Sequence, residues 1–290
     1  MSRTAPGDVE VRLASLHVHP IKSCAGVAPA QALMIETGLE LDRAWMVVNE
    51  QAEFVTQREL PRMALVRPTL GSSDMVLRAP GMLALHVAID AVEQPTRARV
   101  WNDEVAAFDM GKLAAQWFSD FLGRRCRLVR FDPAQRRLSD RRWTGALEAE
   151  NAFADGFPLL VASTASLAEV NRRLVAQGHG AVGMERFRPN LVLDGLDAHA
   201  EDHLDEIEFA GADGPVRIKL VKPCGRCSIP DVDPASAEPG HAVGDVLAAY
   251  RADARLDGAL TFGMNAIVLG GVERRLSVGA MGQATYRFDV

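Results

Sequence analysis

The chain has 290 residues, of which 48% are hydrophobic and 24% charged, a composition typical of a folded protein with one large or two modest domains. The net charge of −6 argues against nucleic acid or an anionic membrane as the main partner, because both require a basic face. A local basic pocket is compatible with this acidic average. No apolar run approaches the roughly 20 residues that a membrane helix requires.

The four cysteines are too few for a disulfide scaffold in a chain of this length, so we expect reduced thiols. The first ten residues contain no apolar core of the kind that a secretory signal carries. Both features predict a protein of the cytoplasm.

The first 100 residues are predicted to be rich in β-strands. Val9, Val11 and Leu13 alternate with polar residues, which is typical of a half-buried strand. Further short β-type runs are predicted at residues 46–48, 54–56, 64–66 and 75–78, with a turn at 71–74.

The first helix is predicted at residues 112–122. Leu113, Trp117 and Phe121 stand four apart and form part of a broad apolar stripe, and Gly123 can end the helix. The polar, arginine-rich stretch 131–142 is predicted to be an exposed connection, which divides the chain into domains at residues 9–130 and 143–287.

The second half of the chain combines strands with peripheral helices. A strand at 159–162 precedes a helix with a capping box at Ser166 and Glu169, and a hairpin joins 207–209 to 216–220. A short helix at 246–251 and a strand at 267–269 follow. Because strands and helices do not alternate regularly, we expect a β-dominated α+β fold with mixed, barrel-like sheets rather than a doubly wound parallel sheet.

The segment 222–234 carries the strongest chemical signal, a C-x-x-C pair formed by Cys224 and Cys227. Such a pair is typical of half a zinc site, of a redox dithiol, or of a soft-metal site that uses one thiolate. Zinc would need two further ligands at recognisable spacing, and Pro230 makes the helix of a thioredoxin-like motif improbable. Single-thiolate ligation of a soft metal therefore remains, beside the alternative of two small buried residues at a strand end.

Two other segments carry cations that could bind an anion. Pro189 predicts an extended backbone at Arg188, which would place Arg186 and Arg188 on one face as a phosphate-binding fork. A surface ion pair is the alternative for these arginines. Lys22 and Ser23 lie in a segment that indicates an anion site, with a plain turn as the alternative. We interpret the histidine pairs His17/His19 and His199/His203 as structural.

No G-x-S-x-G, Walker A or strand-linked G-x-G-x-x-G motif is present, which argues against hydrolase, P-loop and dinucleotide-binding functions. Other segments occur in a definite order. They are PIKS at 20–23, GLELDRAW at 38–45, FVTQR at 54–58, FADGFPLL at 153–160, RFRPN at 186–190, AED at 200–202, CGRC at 224–227, VDP at 232–234, YR at 250–251 and FGMN at 262–265.

Over roughly residues 12–280, this order resembles that of MOSC proteins, with the pattern of the mitochondrial amidoxime-reducing components and their bacterial counterparts. The resemblance implies an N-terminal β-barrel domain, a mixed β-barrel MOSC domain, and one molybdenum cofactor (molybdenum with molybdopterin) in a cleft between them. It implies Cys227 as the metal-ligating, catalytic cysteine. Matching positions imply cofactor contacts from Lys22, Ser23, Arg43, Asp155, Ser163, Arg188, Asn190, Gly225 and Cys227.

The implied activity is the reduction of small N-hydroxylated compounds, such as hydroxylamines, hydroxylated nucleobases and amidoximes, to amines or amidines. Because no plant-type C-x₄-C-x₂-C run is present, we expect electrons from a separate ferredoxin-like protein. From the net charge and the lack of a long apolar run, we expect neither nucleic acid nor a membrane as a partner. The alternatives are a MOSC sulfur carrier for cofactor maturation and a protein that stores or delivers molybdopterin.

Overall fold

The computed structural model describes residues 7–91 and 94–287. The described residues are rich in strands and form few helices, so the expected β-dominated α+β fold is confirmed. The strands are β1 Val9–Leu16, β2 Gln31–Ile35, β3 Gly38–Leu39, β4 Trp45–Val48, β5 Arg67–Leu70, β6 Asp74–Arg78, β7 Leu85–Ala88, β8 Gln94–Val100, β9 Asp103–Asp109, β10 Arg127–Phe131, β11 Leu159–Ser163, β12 Leu191–Asp194, β13 Leu204–Phe209, β14 Val216–Gly225, β15 Ala252–Asp253, β16 Ala259–Gly270, β17 Arg275–Ser277 and β18 Met281–Tyr286. The helices are α1 Gly111–Leu122, α2 Arg141–Thr144, α3 Thr164–Ala176 and α4 Ala242–Ala248.

Seven strands close into a mixed barrel, called the barrel below. Their order is β11-β12-β1-β18-β13-β14-β16, and β16 pairs back onto β11. The β11–β12 pair is parallel and the other six pairs are antiparallel. Closure pairs every one of these strands on both sides, which removes the exposed edges of an open sheet.

Apolar side chains at alternate positions of the strands fill the interior of the barrel. In β14, Val216, Ile218 and Leu220 are fully buried, whereas Arg217 between them is exposed. Alternate residues of the other barrel strands join the same apolar core. Alternate side chains of a strand point to opposite faces, so this period of two supplies one inward-facing row from each strand.

The barrel includes a strand from the beginning of the chain. β1 pairs with β12 on one side and with β18 on the other. The strand pairing therefore crosses the division into residues 9–130 and 143–287 that the sequence predicts.

The rest of the N-terminal half, called the N-terminal unit below, consists of the sheets β4-β10-β9-β8 and β5-β6-β7 with helix α1. In β4, Trp45 and Val47 contribute to the core beneath α1, while Met46 and Val48 contribute to a second core on the opposite face. Both faces of this strand are covered, which explains its continuous apolar sequence.

Helices α1 and α3 form close to the predicted positions, with two corrections. Gly123 adopts the left-handed conformation at the end of α1, but Leu113 is 73% exposed and lies outside the buried stripe. The N-cap of α3 is Ser163 rather than Ser166, because the Ser163 hydroxyl accepts the Ser166 backbone N–H at 3.1 Å. The last helix, α4, lies a few residues before the predicted 246–251.

Three other predictions from the sequence are wrong. Residues 64–66 are not a strand, because Pro61 begins a 3₁₀ turn over Pro61–Leu65, and residues 54–56 form only an isolated bridge through Phe54. The stretch 131–142 is not wholly exposed. Arg137 is buried, pairs with Asp103 and donates to the Asn151 amide oxygen, so it joins the N-terminal unit to the segment that enters the barrel.

Candidate functional site

A cleft of about 630 Å³ lies between the N-terminal unit and the barrel and is called the cleft below. Its lining includes eight of the nine residues that the family resemblance assigns to the cofactor: Lys22, Ser23, Arg43, Asp155, Arg188, Asn190, Gly225 and Cys227. These residues come from distant parts of the chain, and the fold brings them to one place. Their role in binding a cofactor stays a prediction.

The elements around the cleft explain how these residues meet. Lys22 and Ser23 lie in the loop after β1, and the Lys22 backbone N–H donates to the Trp45 carbonyl at the start of β4. Asn190 immediately precedes the barrel strand β12, and Cys227 follows the end of β14. The cleft is therefore built from loops at strand ends, which rigid sheets hold in place.

Three of the predicted residues have a backbone that L-amino acids rarely adopt. The φ angles of Ser23, Arg43 and Arg188 are +66°, +49° and +57°. A positive φ is uncommon outside glycine and persists only where the surrounding structure imposes it. Their occurrence together at one cleft is independent support for a functional site.

The left-handed backbone of Arg188 corrects a prediction. Pro189 does not force Arg188 into an extended conformation, and Arg186 lies in a 3₁₀ turn, so the two arginines form no fork. Arg186 instead pairs with Asp233 at 2.9 Å, while Arg188 donates to the Cys24 carbonyl at 2.5 Å. Burial, reinforced by the Arg43 charge, lowers the pKa of Arg188 to about 10.

The buried amide of Asn190 helps to hold Arg43. Asn190 is 1% exposed, and its side-chain oxygen accepts from Arg43 at 2.9 Å and from the Leu160 backbone N–H at 3.0 Å. Arg43 also donates to the Arg188 carbonyl at 3.0 Å and pairs with Asp42. The position of the Arg43 guanidinium is thus determined before any ligand arrives.

Lys22 is a buried residue of the cleft lining, held by two hydrogen bonds. Its ammonium donates to the Phe153 carbonyl at 2.8 Å and to the Asp155 carboxylate at 2.5 Å. The charge and hydrogen bond of Lys22, aided by Trp101 and Arg43, hold the pKa of the Asp155 carboxyl well below its ordinary value. Asp155 is therefore an anion at neutral pH.

The two cysteines of the C-x-x-C pair have different surroundings. Cys227 is exposed at the cleft, whereas Cys224 is half-buried and accepts a hydrogen bond from Arg226 Nη1 at 3.1 Å. Arg226 also donates to the Phe187 carbonyl at 2.9 Å. Within residues 7–91 and 94–287 there is no group of three or more histidine, cysteine or acidic side chains arranged to hold a metal.

The cleft is strongly basic in a protein of acidic average charge. Its lining contains eight lysines and arginines and two aspartates. Five of the cationic residues were not assigned to the site from the sequence: Arg58, Arg142, Lys222, Arg226 and Arg255. Lys222 and Arg226 lie in the segment of the C-x-x-C pair, a signal that could have identified them, whereas the other three are brought here by the fold.

Ser163 is the one predicted site residue that does not line the cleft. It is fully buried beneath α3, where it caps the helix and its hydroxyl contacts the Glu201 carboxylate at 3.0 Å. The structure gives this side chain a structural role as a helix cap, and its predicted contact with the cofactor stays a prediction.

Comparison with known proteins finds two family models that match this chain. The model of the MOSC N-terminal β-barrel domain matches residues 10–125, and that of the MOSC domain matches residues 148–281. The chain is 36% identical over 231 residues to mitochondrial amidoxime-reducing component 1 of Mus musculus, a match that covers 77% of this chain and 66% of that protein. For mitochondrial amidoxime-reducing component 2 of Homo sapiens, the identity is 33%, with 77% and 67% covered. The chain belongs to the MOSC family.

A second type of MOSC relative is also similar. The chain is 29% identical over 239 residues to the molybdenum cofactor sulfurase of Homo sapiens, a match that covers 76% of this chain and 26% of that protein. These relatives associate the family with molybdenum chemistry. Among the described residues, no helix is long and apolar enough to cross a bilayer.

The residues of this MOSC protein fit an anionic molybdenum cofactor. Arg43 and Arg188 are fixed cations suited to a phosphate, and the exposed Cys227 offers the soft sulfur donor that molybdenum accepts. The Nε atom of Arg226 is buried without a hydrogen-bond partner in the structure. A buried N–H without a partner costs free energy, so a bound acceptor would stabilise this side chain.

Proposed function

We propose that the protein is a molybdenum-cofactor-dependent reductase of N-hydroxylated compounds, which it converts to amines or amidines. The observation that carries the proposal is the exposed Cys227 thiol in a cleft that otherwise gathers fixed cations. A soft ligand beside an anion-binding surface matches the two ends of such a cofactor. The similarity to the mitochondrial amidoxime-reducing components supports the reaction class.

The proposal assigns a role to each group of residues. Cys227 ligates molybdenum, while Lys22, Arg43 and Arg188 bind the phosphate and Ser23, Asn190 and Gly225 contact the rest of the cofactor. When bound, the cofactor supplies the two-electron chemistry, and the protein supplies binding, orientation and electrostatics. Asp155 is held ionised by Lys22, so it does not serve as the proton donor at neutral pH.

The proposed reaction consumes two electrons and two protons for each substrate. The N–O bond of the hydroxylamine or amidoxime breaks, the nitrogen is protonated, and the oxygen leaves as water. The electrons come from a separate small carrier protein of the ferredoxin type. Turnover with NADH alone by clean protein, without added reductase, would contradict this requirement. We expect the reaction in the cytoplasm.

The decisive assay uses molybdenum-loaded protein without oxygen, with a chemical reductant and either 6-hydroxylaminopurine or benzamidoxime. We expect adenine and benzamidine as products, in amounts that scale with molybdenum content. No turnover across a panel of N-hydroxylated compounds, by protein that contains stoichiometric molybdenum, would refute the reductase proposal.

The main alternative is a MOSC module that carries sulfur for cofactor maturation, which the similarity to the molybdenum cofactor sulfurase favours. Such a carrier would hold a persulfide on an exposed cysteine, and Cys227 is exposed. It should purify without stoichiometric molybdenum and release sulfur with cyanide. A protein that only stores the cofactor should contain molybdopterin but show no turnover.

A further inference from the structure

Trp101 is a solvent-accessible aromatic residue at the cleft that neither the fold nor the proposed cofactor contacts explain. It lies in the tight turn between β8 and β9, and 45% of its surface is exposed. Its φ is +55°, a conformation that asparagine and glycine adopt far more readily than a bulky aromatic residue. The hairpin therefore carries a residue that local backbone energetics disfavour, which points to a function for the side chain.

The contacts of Trp101 hold its ring in one orientation. The indole Nε1–H donates to the Asp155 carboxylate at 3.1 Å, and the Phe54 ring lies 5.0 Å away at an interplanar angle of 61°. The Arg58 guanidinium lies over the indole, 4.8 Å from the ring centroid. The polar atom is thus satisfied and one aromatic neighbour fixes the ring, while nearly half of the side chain still faces solvent at the cleft.

Arg58 is a second exposed residue of the cleft that contacts aromatic rings. It is exposed, lies against both Trp101 and Phe54, and its Nε donates to the Thr56 hydroxyl at 3.3 Å. A guanidinium stacked over an indole presents planar π surfaces together with N–H donors. Planar nitrogen heterocycles bind to such surfaces by stacking and by hydrogen bonds to their ring nitrogens.

We propose that Trp101 and Arg58 form a stacking subsite for the planar heteroaromatic ring of the substrate, so that the enzyme favours N-hydroxylated purines and similar rings over small non-aromatic hydroxylamines. The inference rests on the proposed reductase function and narrows its substrate class. An aromatic ring of the cofactor could stack on the same two side chains, and the experiment distinguishes the substrate ring from the cofactor ring.

The test compares kcat/KM for 6-hydroxylaminopurine with kcat/KM for hydroxylamine, per molybdenum bound. Trp101→Asn removes the aromatic ring but suits the left-handed turn, so the variant should fold at least as well as the wild type. Trp101→Phe retains an aromatic surface. Arg58→Met removes the stacked cation in the cleft, and Arg62→Met is its matched control, because Arg62 lies over Phe121 outside the cleft.

We expect Trp101→Asn to lower the purine-to-hydroxylamine ratio about 10-fold, equivalent to about 1.4 kcal/mol. Trp101→Phe should restore most of the ratio, Arg58→Met should lower it less, and Arg62→Met should leave it unchanged. Equal losses on both substrates would overturn the proposal. A loss of bound pterin in Trp101→Asn would also overturn it, because the ring on Trp101 would then be that of the cofactor.

A binding measurement keeps the subsite testable if the protein reduces neither substrate. Adenine, the product expected from 6-hydroxylaminopurine, is titrated into wild-type protein and into Trp101→Asn by calorimetry. We expect about 10-fold weaker binding to the variant. Equal Kd values would refute the subsite, whereas absence of turnover in molybdenum-loaded protein with this binding difference intact would refute only the reductase function.

Discussion

Lys22 and Asp155 form an ion pair with an N–O distance of 2.5 Å that joins the loop after β1 to the segment preceding β11. The pair is asymmetric, because the Lys22 side chain is only 7% exposed whereas that of Asp155 is 74% exposed. Burial lowers the pKa of Lys22, and Asp155 opposes that effect. An anionic ligand that enters the cleft must therefore compete with Asp155 for the buried ammonium.

Replacing Lys22 with methionine should lower the free energy of unfolding by about 1–3 kcal/mol, because the Phe153 carbonyl loses its charged donor and Asp155 its partner. Urea denaturation measures the change. Lys219→Met is the control, since Lys219 pairs with Asp205 and Glu206 in a more exposed setting and should cost less than about 1 kcal/mol. Equal losses in the two variants would contradict the structural role of Lys22.

Asn190→Ala should be more damaging than most polar substitutions. It leaves the buried Leu160 N–H without an acceptor and removes one partner of Arg43, at a cost of about 2–3 kcal/mol. Asn171→Ala is a matched control, because Asn171 makes two bonds to the Val182 backbone outside the cleft. Both should lose stability, but only Asn190→Ala should also lose bound pterin, measured after reconstitution. Pterin loss in both, or in neither, would contradict this assignment.

Ser163→Ala tests whether Ser163 only caps α3 or also contacts the cofactor. Loss of the helix cap should lower the free energy of unfolding by about 1 kcal/mol, while pterin content should equal that of the wild type. Thermal unfolding and pterin fluorescence measure the two quantities. A variant of unchanged stability that fails to retain pterin would restore Ser163 to the cofactor site.

The stability of the protein should fall on acidification in a way that depends on His199. Burial, with a contribution from the Arg251 charge, lowers the pKa of His199 to about 4, below the ordinary 6.5. The folded state therefore favours the neutral ring, so its contribution is complete above pH 6.5 and is lost as the pH falls towards 4. The stability difference between wild type and His199→Gln should shrink between pH 7.5 and 4.5. A difference that does not change with pH would contradict the shifted pKa, and the exposed His179, replaced in the same way, is the control.

Features that depend on local sequence were predictable. The alternation of apolar residues identified strands β1 and β14, and the four-residue spacing before Gly123 identified helix α1. Both patterns were readable because the periods of strands and helices depend on residues that are close in sequence. Most of the candidate site was predictable through the family resemblance, which places its segments in order without explaining their geometry.

Features that depend on distant residues were not predictable. Pro189 disfavours the observed backbone of Arg188, but bonds from Arg188 to Cys24 and from Arg43 to the Arg188 carbonyl hold it there. Arg137 lies in a polar, arginine-rich stretch that predicts exposure, but it is buried because Asp103 supplies an ion pair and Asn151 a hydrogen-bond acceptor. In each case tertiary hydrogen bonds outweigh the local preference, and neither partner is near in sequence.

We propose that Cys227, and not Cys224, holds molybdenum. Arg188→Ala should weaken binding of the whole cofactor. The cysteine variants instead test which sulfur ligates molybdenum. Cys227→Ala should abolish turnover, and Cys224→Ser should keep a substantial fraction of it, because Cys224 is half-buried against Arg226. The most direct measurement is X-ray absorption at the molybdenum edge of both cysteine variants. If Cys227 ligates molybdenum, the metal should have one sulfur neighbour fewer in Cys227→Ala and a wild-type spectrum in Cys224→Ser. An equal loss of sulfur or of metal in both variants would contradict ligation by Cys227 alone.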